Sequence, residues 1–321
     1  MAIVLLLILI SGFVALNMGV SGFSVSFTPS YGSRLLGKGK AVILYGLCVL
    51  IGGLLVGPRV VSTLVNKISL QHIDPFSGFL ILSSVGAMMF LSNMLKIPQS
   101  TSFVTVAGFL GAGLYYGKVD WHTVIKIVIL AAVFSVLSFV ITYLIKRKIY
   151  PPHRGNLHLY EKFHIHRNKF KNFIIWTDMY SAFGIGTNNV ANVVAPLVGS
   201  LAISPFLALG LSAPLFGLGA YFFGERVLRT VSRDIVPIGE ISAVIISLIT
   251  ATFVIIASLL GLPTPYVQFT TFSVLAISSV KDGTRHTAGK SVFKRIISAW
   301  ICVPIATVFL SFLLHLFFIK R

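Results

Sequence analysis

The chain has 321 residues, of which 56% are hydrophobic and only 11% charged. Its mean hydropathy of +0.93, with several apolar runs long enough to span a bilayer, excludes a water-soluble fold. The formal net charge of +18 suits nucleic acid at first sight, but the cations lie between the apolar runs, where flank anchors and the positive-inside bias place them; no nucleic acid is expected, and the surplus helps attract an anionic solute.

Met1 to Leu16 has no basic segment ahead of it, the first cation being Arg34, so it reads as a membrane segment rather than a signal peptide. Residues 1–33 form an apolar helix that runs into Asn17, Gly19, Ser21 and Gly22 and then Pro29. Further spans cover about 41–66 and 75–94. A polar break, Lys96 to Ser102, precedes an apolar stretch to Tyr116 and a span over about 121–145. Residues 146–171 then carry eight Lys or Arg, one Glu and four of the eight histidines. The expected organisation is a first membrane repeat over 1–145, a basic hydrophilic linker over 146–171 and a second membrane repeat over 172–321. His164-x-His166 has a metal-ligand spacing, but a solvated basic loop is the plainer reading. Cys48 and Cys302 lie in apolar runs and read as packing residues. No metal site and no cofactor are expected.

The chain is organised around 180–200. This stretch is apolar enough for a bilayer, yet it crowds Asn188, Asn189 and Asn192 behind Gly184 and Gly186. The glycines are expected to loosen or break a helix there. Broken backbone at membrane depth is tolerated only inside protein or beside a watery cavity. Such a place suits an ion or small polar solute; a packing seam of small and amide residues fits the stretch as well.

The second half repeats the first. At a shift of 167, Gly19 falls on Gly186, Gly32-Ser33 on Gly199-Ser200, Gly57 on Gly224, Arg59 on Arg226, Val60 on Val227, Thr63 on Thr230 and Ile68 on Ile235. At a shift of 165, Ile97-Pro98 falls on Leu262-Pro263 and Thr105 on Thr270. Chance apolar similarity would not hold Gly, Arg, Thr and Pro in register. Arg34, Lys38 and Lys40 follow the first motif while 201–207 carries no charge, and Lys281, Arg285, Lys290, Lys294 and Arg295 flank the last span where 116–128 has two lysines. Equivalent loops are therefore expected on opposite sides, an inverted repeat with its site between the halves. Arg59 and Arg226, charged in both copies, read as membrane-edge anchors.

Gly186-Thr-Asn-Asn-Val-Ala-Asn-Val-Val-Ala-Pro-Leu resembles the GANDVANAVAPL signature of the inorganic phosphate transporter (PiT) family. Gly224-Glu-Arg-Val-Leu-Arg-Thr resembles its G-x-RV-x-x-T stretch, and Pro98-Gln-Ser-Thr-Ser and Gly261-Leu-Pro-Thr-Pro resemble its hairpin motifs. The resemblance spans nearly the whole chain. It implies an all-α polytopic membrane protein with an inverted internal repeat, broken helices and re-entrant helical hairpins, and it implies a homodimer. The family's Asn-Asp pairs, however, stand here as Ser21-Gly22 and Asn188-Asn189, and the hairpin histidine as Phe103 and Gln268. That set is most similar to the bacterial sulfate-permease branch. In phosphate members the resemblance assigns sodium to the motif acids and amides; with both aspartates gone, sodium coupling does not carry over.

Physics points the same way. Phosphate near neutral pH keeps a proton that a carboxylate can accept, whereas sulfate is a dianion with none, and a facing carboxylate would be unpaired repulsion at low dielectric. A sulfate site should offer donors: backbone N–H at helix starts, hydroxyls and amides. Ser21, Gly22, Ser100, Thr101, Ser102, Thr105, Asn188, Asn189, Asn192, Gln268, Thr270 and Thr271 supply that set; helix capping and back-bonding to carbonyls is the competing use of the hydroxyls. A dianion entering a negative-inside cell needs co-moving cations, and Asp178 and Glu240 are the proton-coupling candidates. The expected function is a secondary transporter importing sulfate across the cell membrane with protons, by alternating access. Phosphate is the alternative substrate and an anion channel the alternative mechanism. An enzyme is not expected: there is no HExxH, no paired intramembrane carboxylates and no Ser/His arrangement at helical spacing.

Overall fold

The computed structural model describes residues 1–32, 34–68, 73–95, 99–234, 239–289 and 291–319, without the side chains of Thr28, Gly32, Asn93, His164, 225–234, 288–289 and 291–294. Ser33, Lys96, Ile97, Pro98, Ile235 and Lys290 therefore lie outside the described residues, as do the side chains of His164, Arg226, Val227, Thr230 and Lys294. The described chain is all helical. In order it forms α1 (Ala2–Ser26), α2 (Thr28–Gly32), α3 (Lys38–Thr63) with a π-helical turn Leu64–Ile68, α4 (Pro75–Met94), α5 (Thr101–Tyr115), α6 (Trp121–Ile149), α7 (Leu157–Ile165), α8 (Arg167–Leu201), α9 (Pro205–Asp234), α10 (Glu240–Leu259), α11 (Tyr266–Asp282), α12 (Thr284–Gly289) and α13 (Ser291–Phe318). Seven of these are long and apolar enough to cross a membrane; α8 and the short arms α5 and α11 are outside that set.

Two pairs form re-entrant hairpins. Ser77 at the start of α4 and Tyr116 after the end of α5 share a 2.6 Å hydroxyl hydrogen bond, so both ends lie at one face. Glu240 at the start of α10 and Lys281 near the end of α11 line one cavity, so that hairpin opens on the other face. The second tip is shaped by a Schellman close: Leu262 N–H reaches the Ala257 carbonyl and Gly261 N–H the Ser258 carbonyl, both at 2.9 Å. It requires the left-handed φ of +74° that Gly261 supplies.

The halves interlock as an inverted repeat. Gly46 faces Gly217, Leu54 faces Gly210 and Gly57 faces Leu209, so α3 runs antiparallel to its equivalent α9. Gly53 meets Val190 and Gly199 meets Val65, so α3 runs parallel to α8. Four glycines make this packing possible. A methyl carbon at Gly19 would overlap the Phe216 carbonyl, at Gly186 the Val49 carbonyl, at Gly52 the Phe183 carbonyl and at Gly219 the Leu16 carbonyl. Each contact maps onto another at the shift of 167, Gly19–Phe216 onto Gly186–Val49 and Gly219–Leu16 onto Gly52–Phe183. The hairpins are exchanged too: α4 and α5 pack on α13, and α10 and α11 on α6.

Three features differ from the sequence reading. α8 runs unbroken through Gly184 and Gly186, because those glycines serve close approach, to α10 and α3, rather than a turn. The 146–171 segment is largely helical, shared among the end of α6, α7 and the start of α8. Arg59 is not a free edge anchor: its Nη1 donates 2.9 Å to the Leu259 carbonyl, capping the C-terminus of α10. The starts of α3 and α8 and the ends of α6, α9 and α11 share one face, which gathers Arg34, Lys38, Lys40, the 146–171 cations and Lys281. The positive-inside bias makes that face cytoplasmic.

Candidate functional site

The centre of the molecule is a polar knot on α8. Asn188 is fully buried and uses its whole side chain. Its Oδ1 accepts from Ser102 Oγ at 2.8 Å and from the Thr264 backbone N–H at 3.2 Å. Its Nδ2 donates to Ser258 Oγ at 2.9 Å and to the Leu262 carbonyl at 3.3 Å. One amide thus ties the start of α5 to the turn between α10 and α11, the tips of both hairpins. Asn192, one turn on, donates from Nδ2 to Ser102 Oγ at 2.9 Å, and Thr187 Oγ1 donates to the Gly184 carbonyl at 2.7 Å and lies 3.1 Å from Ser258 Oγ.

Around this knot several buried polar atoms have no partner: Asn189 Oδ1, Asn192 Oδ1, Thr105 Oγ1, Thr264 Oγ1, and both Oε1 and Nε2 of Gln99. Buried polar groups are normally paired, and each orphan is costly. None of these side chains is acidic. They comprise an amide N–H₂ and two hydroxyls able to donate, together with amide oxygens able only to accept. Pro196 inside α8 adds to the acceptors, because it cannot donate to the Asn192 carbonyl. The α5 start contributes in the other sense: Ser100 caps it, its Oγ accepting from Phe103 N–H at 3.3 Å, and the first N–H groups of the helix have no helical acceptor.

Gln99 and Thr264 did not enter the sequence-derived set. A signal for them existed, because the shift of 165 that aligns Pro98 with Pro263 also pairs Gln99 with Thr264. Ser258 has no such mark.

A second polar layer lies nearer the cytoplasmic end of α8. Ser181 bonds the Tyr266 hydroxyl, which also lies 3.4 Å from Thr250 Oγ1. Ser181 and Asn189 are eight residues apart, about 12 Å along the axis. Thr270 sits beside Tyr266, its Oγ1 donating 3.1 Å to the Tyr266 carbonyl, and Thr271 Oγ1 donates 2.8 Å to the Val267 carbonyl. Ser21 Oγ donates 3.0 Å to the Met18 carbonyl. The single protons of these three hydroxyls are thereby committed to their own helices, as capping and back-bonding residues commit them. Gln268 and Thr101 are buried. Gly22 packs against the Tyr45 hydroxyl and Ile185. That buried hydroxyl has no partner, and Tyr45 meets Phe23 and Phe27 edge-on. The first-half motif therefore meets an aromatic plug where the second-half motif forms the knot.

Asp178 and Glu240 part company. Asp178 is fully buried on α8; its Oδ2 accepts from the Ser30 backbone N–H at 2.9 Å, bridging to α2 across the interface of the halves, while Oδ1 has no partner. Glu240 is exposed at the start of α10.

Neither of the two described cavities is lined by Asn188, Asn189 or Asn192. One of about 690 Å³, at the non-cytoplasmic ends of α3 and α8, includes Asn66 and Val198. Val198 lies six residues, about 9 Å, beyond Asn192 along α8. The knot itself is closed to solvent, with Asn188, Asn192, Ser102 and Thr105 all at 0% exposure and Asn189 at 5%.

The model of the Phosphate transporter family matches residues 18–151 and 153–311. Sulfate permease CysP of Bacillus subtilis is 30% identical over 319 residues, covering 98% of this chain and 87% of that one. A putative phosphate permease of Helicobacter pylori is 22% identical, covering 86% of this chain and 68% of its own. Sodium-dependent phosphate transporter 1-A of Danio rerio is 30% identical over 156 residues, 45% of this chain and 24% of that one. Among solved structures, the sodium-dependent phosphate transporter superposes with a TM-score of 0.77 at 21% identity, covering 99% of this chain and 100% of the other; it shares the fold.

Proposed function

We propose that this chain, which belongs to the phosphate transporter family and is a multi-pass protein of the cell membrane, imports inorganic sulfate by alternating access, coupled to protons. The observation that carries the reading is the knot. Two hairpin tips, one from each half, converge on Asn188 and leave the buried, unpartnered donors Gln99 Nε2, Thr105 Oγ1 and Thr264 Oγ1 with no acidic side chain among them. With no carboxylate among them, these donors can meet a fully ionised oxyanion without charge repulsion. The name of the Bacillus relative, a sulfate permease matched over nearly the full length, agrees with this choice. The closed knot, with a cavity about 9 Å beyond it on one side, fits a state in which the tips have shut on the site.

Moving a dianion into a cell against about 100 mV costs about 4.6 kcal/mol, at roughly 2.3 per charge. Two monovalent cations make the step electroneutral. Asp178 is the candidate proton carrier, since its carboxyl is buried at the contact of the two halves with one oxygen unpartnered. A second reading has its own observation: Asn189 Oδ1, Asn192 Oδ1 and Gln99 Oε1 are acceptors without donors, a hard-oxygen set suited to sodium.

Uptake of labelled sulfate into proteoliposomes separates the readings. An inward proton gradient alone is expected to drive accumulation, and phosphate to compete weakly. Accumulation that follows the sodium gradient and ignores pH would replace proton coupling by the second reading. Flux that equilibrates sulfate without concentrating it would make the protein a channel.

A further inference from the structure

The non-cytoplasmic end of α13 carries a buried histidine. His315 is 0% exposed, and its Nδ1 lies 2.7 Å from the Ser311 carbonyl. A carbonyl only accepts, so Nδ1 carries the hydrogen and Nε2 of the neutral ring is a lone pair. That Nε2 is buried and has no partner. The nearest hydroxyls are engaged elsewhere: Tyr115 Oη donates 2.8 Å to the Ile319 carbonyl, and Tyr116 and Ser77 bond each other at 2.6 Å. The rings of Tyr115 and Tyr116 are centred 5.8 and 6.0 Å from the imidazole. Ser311 Oγ donates 2.7 Å to the Gly108 carbonyl, holding α13 on α5.

Four occupants could meet such a nitrogen. A water needs two to four polar partners, and the walls here are aromatic. A metal needs further ligands, and among the described residues no group of three His, Cys, Asp or Glu could hold one. An anion needs a donor where Nε2 offers a lone pair. A proton needs only the lone pair. We propose that His315 Nε2 is a proton-binding site reached from the outer solution, and that a proton there loosens the outer ends of α4, α5 and α13. The imidazolium keeps its bond to Ser311 but gains an N–H with no acceptor, and a buried charge without a partner is costly. The charged groups of this edge, Asp74 and Lys118, are both exposed, and Asp74 Oδ2 already accepts from the N–H groups of Phe76 and Ser77 at 3.0 and 3.3 Å. His72, Lys320 and Arg321 lie outside the described residues. Parting the helix ends lets water reach Nε2, which is what the charge requires. The hairpin freed in this way is the one whose tip bonds Asn188 through Ser102. The closed packing is thus held above the ordinary imidazole range, about pH 6.5, and weakened as pH falls through it.

The test is hydrogen exchange, read by mass spectrometry on the full chain in detergent and corrected for the intrinsic rate at each pH. If only the parted state takes the proton, its opening constant rises about tenfold between about pH 7.5 and about pH 5.5. Protection at the outer ends of α4, α5 and α13 should fall by that factor in acid, and protection at the cytoplasmic end of α13 should hold. His315→Asn keeps a donor for Ser311, as Asn17 Nδ2 donates 2.9 Å to the Phe13 carbonyl across the same four-residue step, and has nothing to titrate; its protection should not change with pH. His72→Asn should respond as the parent does. Parent protection that is flat with pH, or that falls throughout the molecule, would overturn the assignment whether or not the variants fold; so would a fall that survives in His315→Asn or vanishes in His72→Asn.

Discussion

Replacing Asn188 by alanine is expected to abolish sulfate uptake and to lower the stability of the purified protein by about 2–3 kcal/mol. The side chain makes four hydrogen bonds, each worth roughly 0.6 kcal/mol as a polar contact between membrane helices. The functional loss should be much larger, at least tenfold, because both hairpin tips take their position from this one amide and misplacement of about 1 Å suffices to disable a polar site. Asn188→Asp should fail as well. A carboxylate keeps the acceptor for Ser102 and Thr264 but turns an oxygen toward the Leu262 carbonyl, which now receives an N–H. Denaturant unfolding in detergent and proteoliposome uptake read the two effects separately. Near-wild-type uptake by either variant would show that the tips are positioned by something else.

The second large effect is expected at Asp178. Asp178→Asn keeps an oxygen for the Ser30 N–H and removes the capacity to carry a proton together with the charge of the ionised form. Sulfate accumulation driven by an imposed proton gradient should fall to the level reached without one, about tenfold or more if protons balance the ~4.6 kcal/mol cost of the dianion. Exchange of labelled for unlabelled sulfate, which needs no net proton movement, should persist and shows that the variant is folded. A variant that still concentrates sulfate under a pH gradient would remove Asp178 from coupling.

Much of this architecture was legible in the chain. Gly19 and Gly186, Gly57 and Gly224, and Pro98 and Pro263 mark a duplication because apolar drift does not place glycine and proline in register, and the cations after the first motif and beside the last span marked its inversion. The crowding of Asn188 and Asn192 located the knot. Other features lay beyond local pattern. Gly184 and Gly186 would loosen a helix or admit a neighbouring backbone with the same letters, and only the facing Val49 carbonyl shows which. The hydroxyl of Thr270 looked like a donor until its partner, the Tyr266 carbonyl one turn back, was seen. Asp178 caps backbone 148 residues away in the other half, a contact with no trace in either segment alone. Gln99 and Thr264 were within reach, since the repeat itself pairs them.

A preference for sulfate rests on an acid-free set of donors at the hairpin tips. Equilibrium binding of sulfate and phosphate to the purified protein and to Asn189→Asp tests it most directly, because that substitution places a carboxylate beside the knot at a position 5% exposed. The parent should bind sulfate more tightly than phosphate, and the variant should lose about 10- to 100-fold of its sulfate affinity, the effect of about 1–3 kcal/mol from one uncompensated buried charge contact, while phosphate loses far less. A parent that prefers phosphate, or a variant in which the ratio of the two affinities is unchanged, would contradict it.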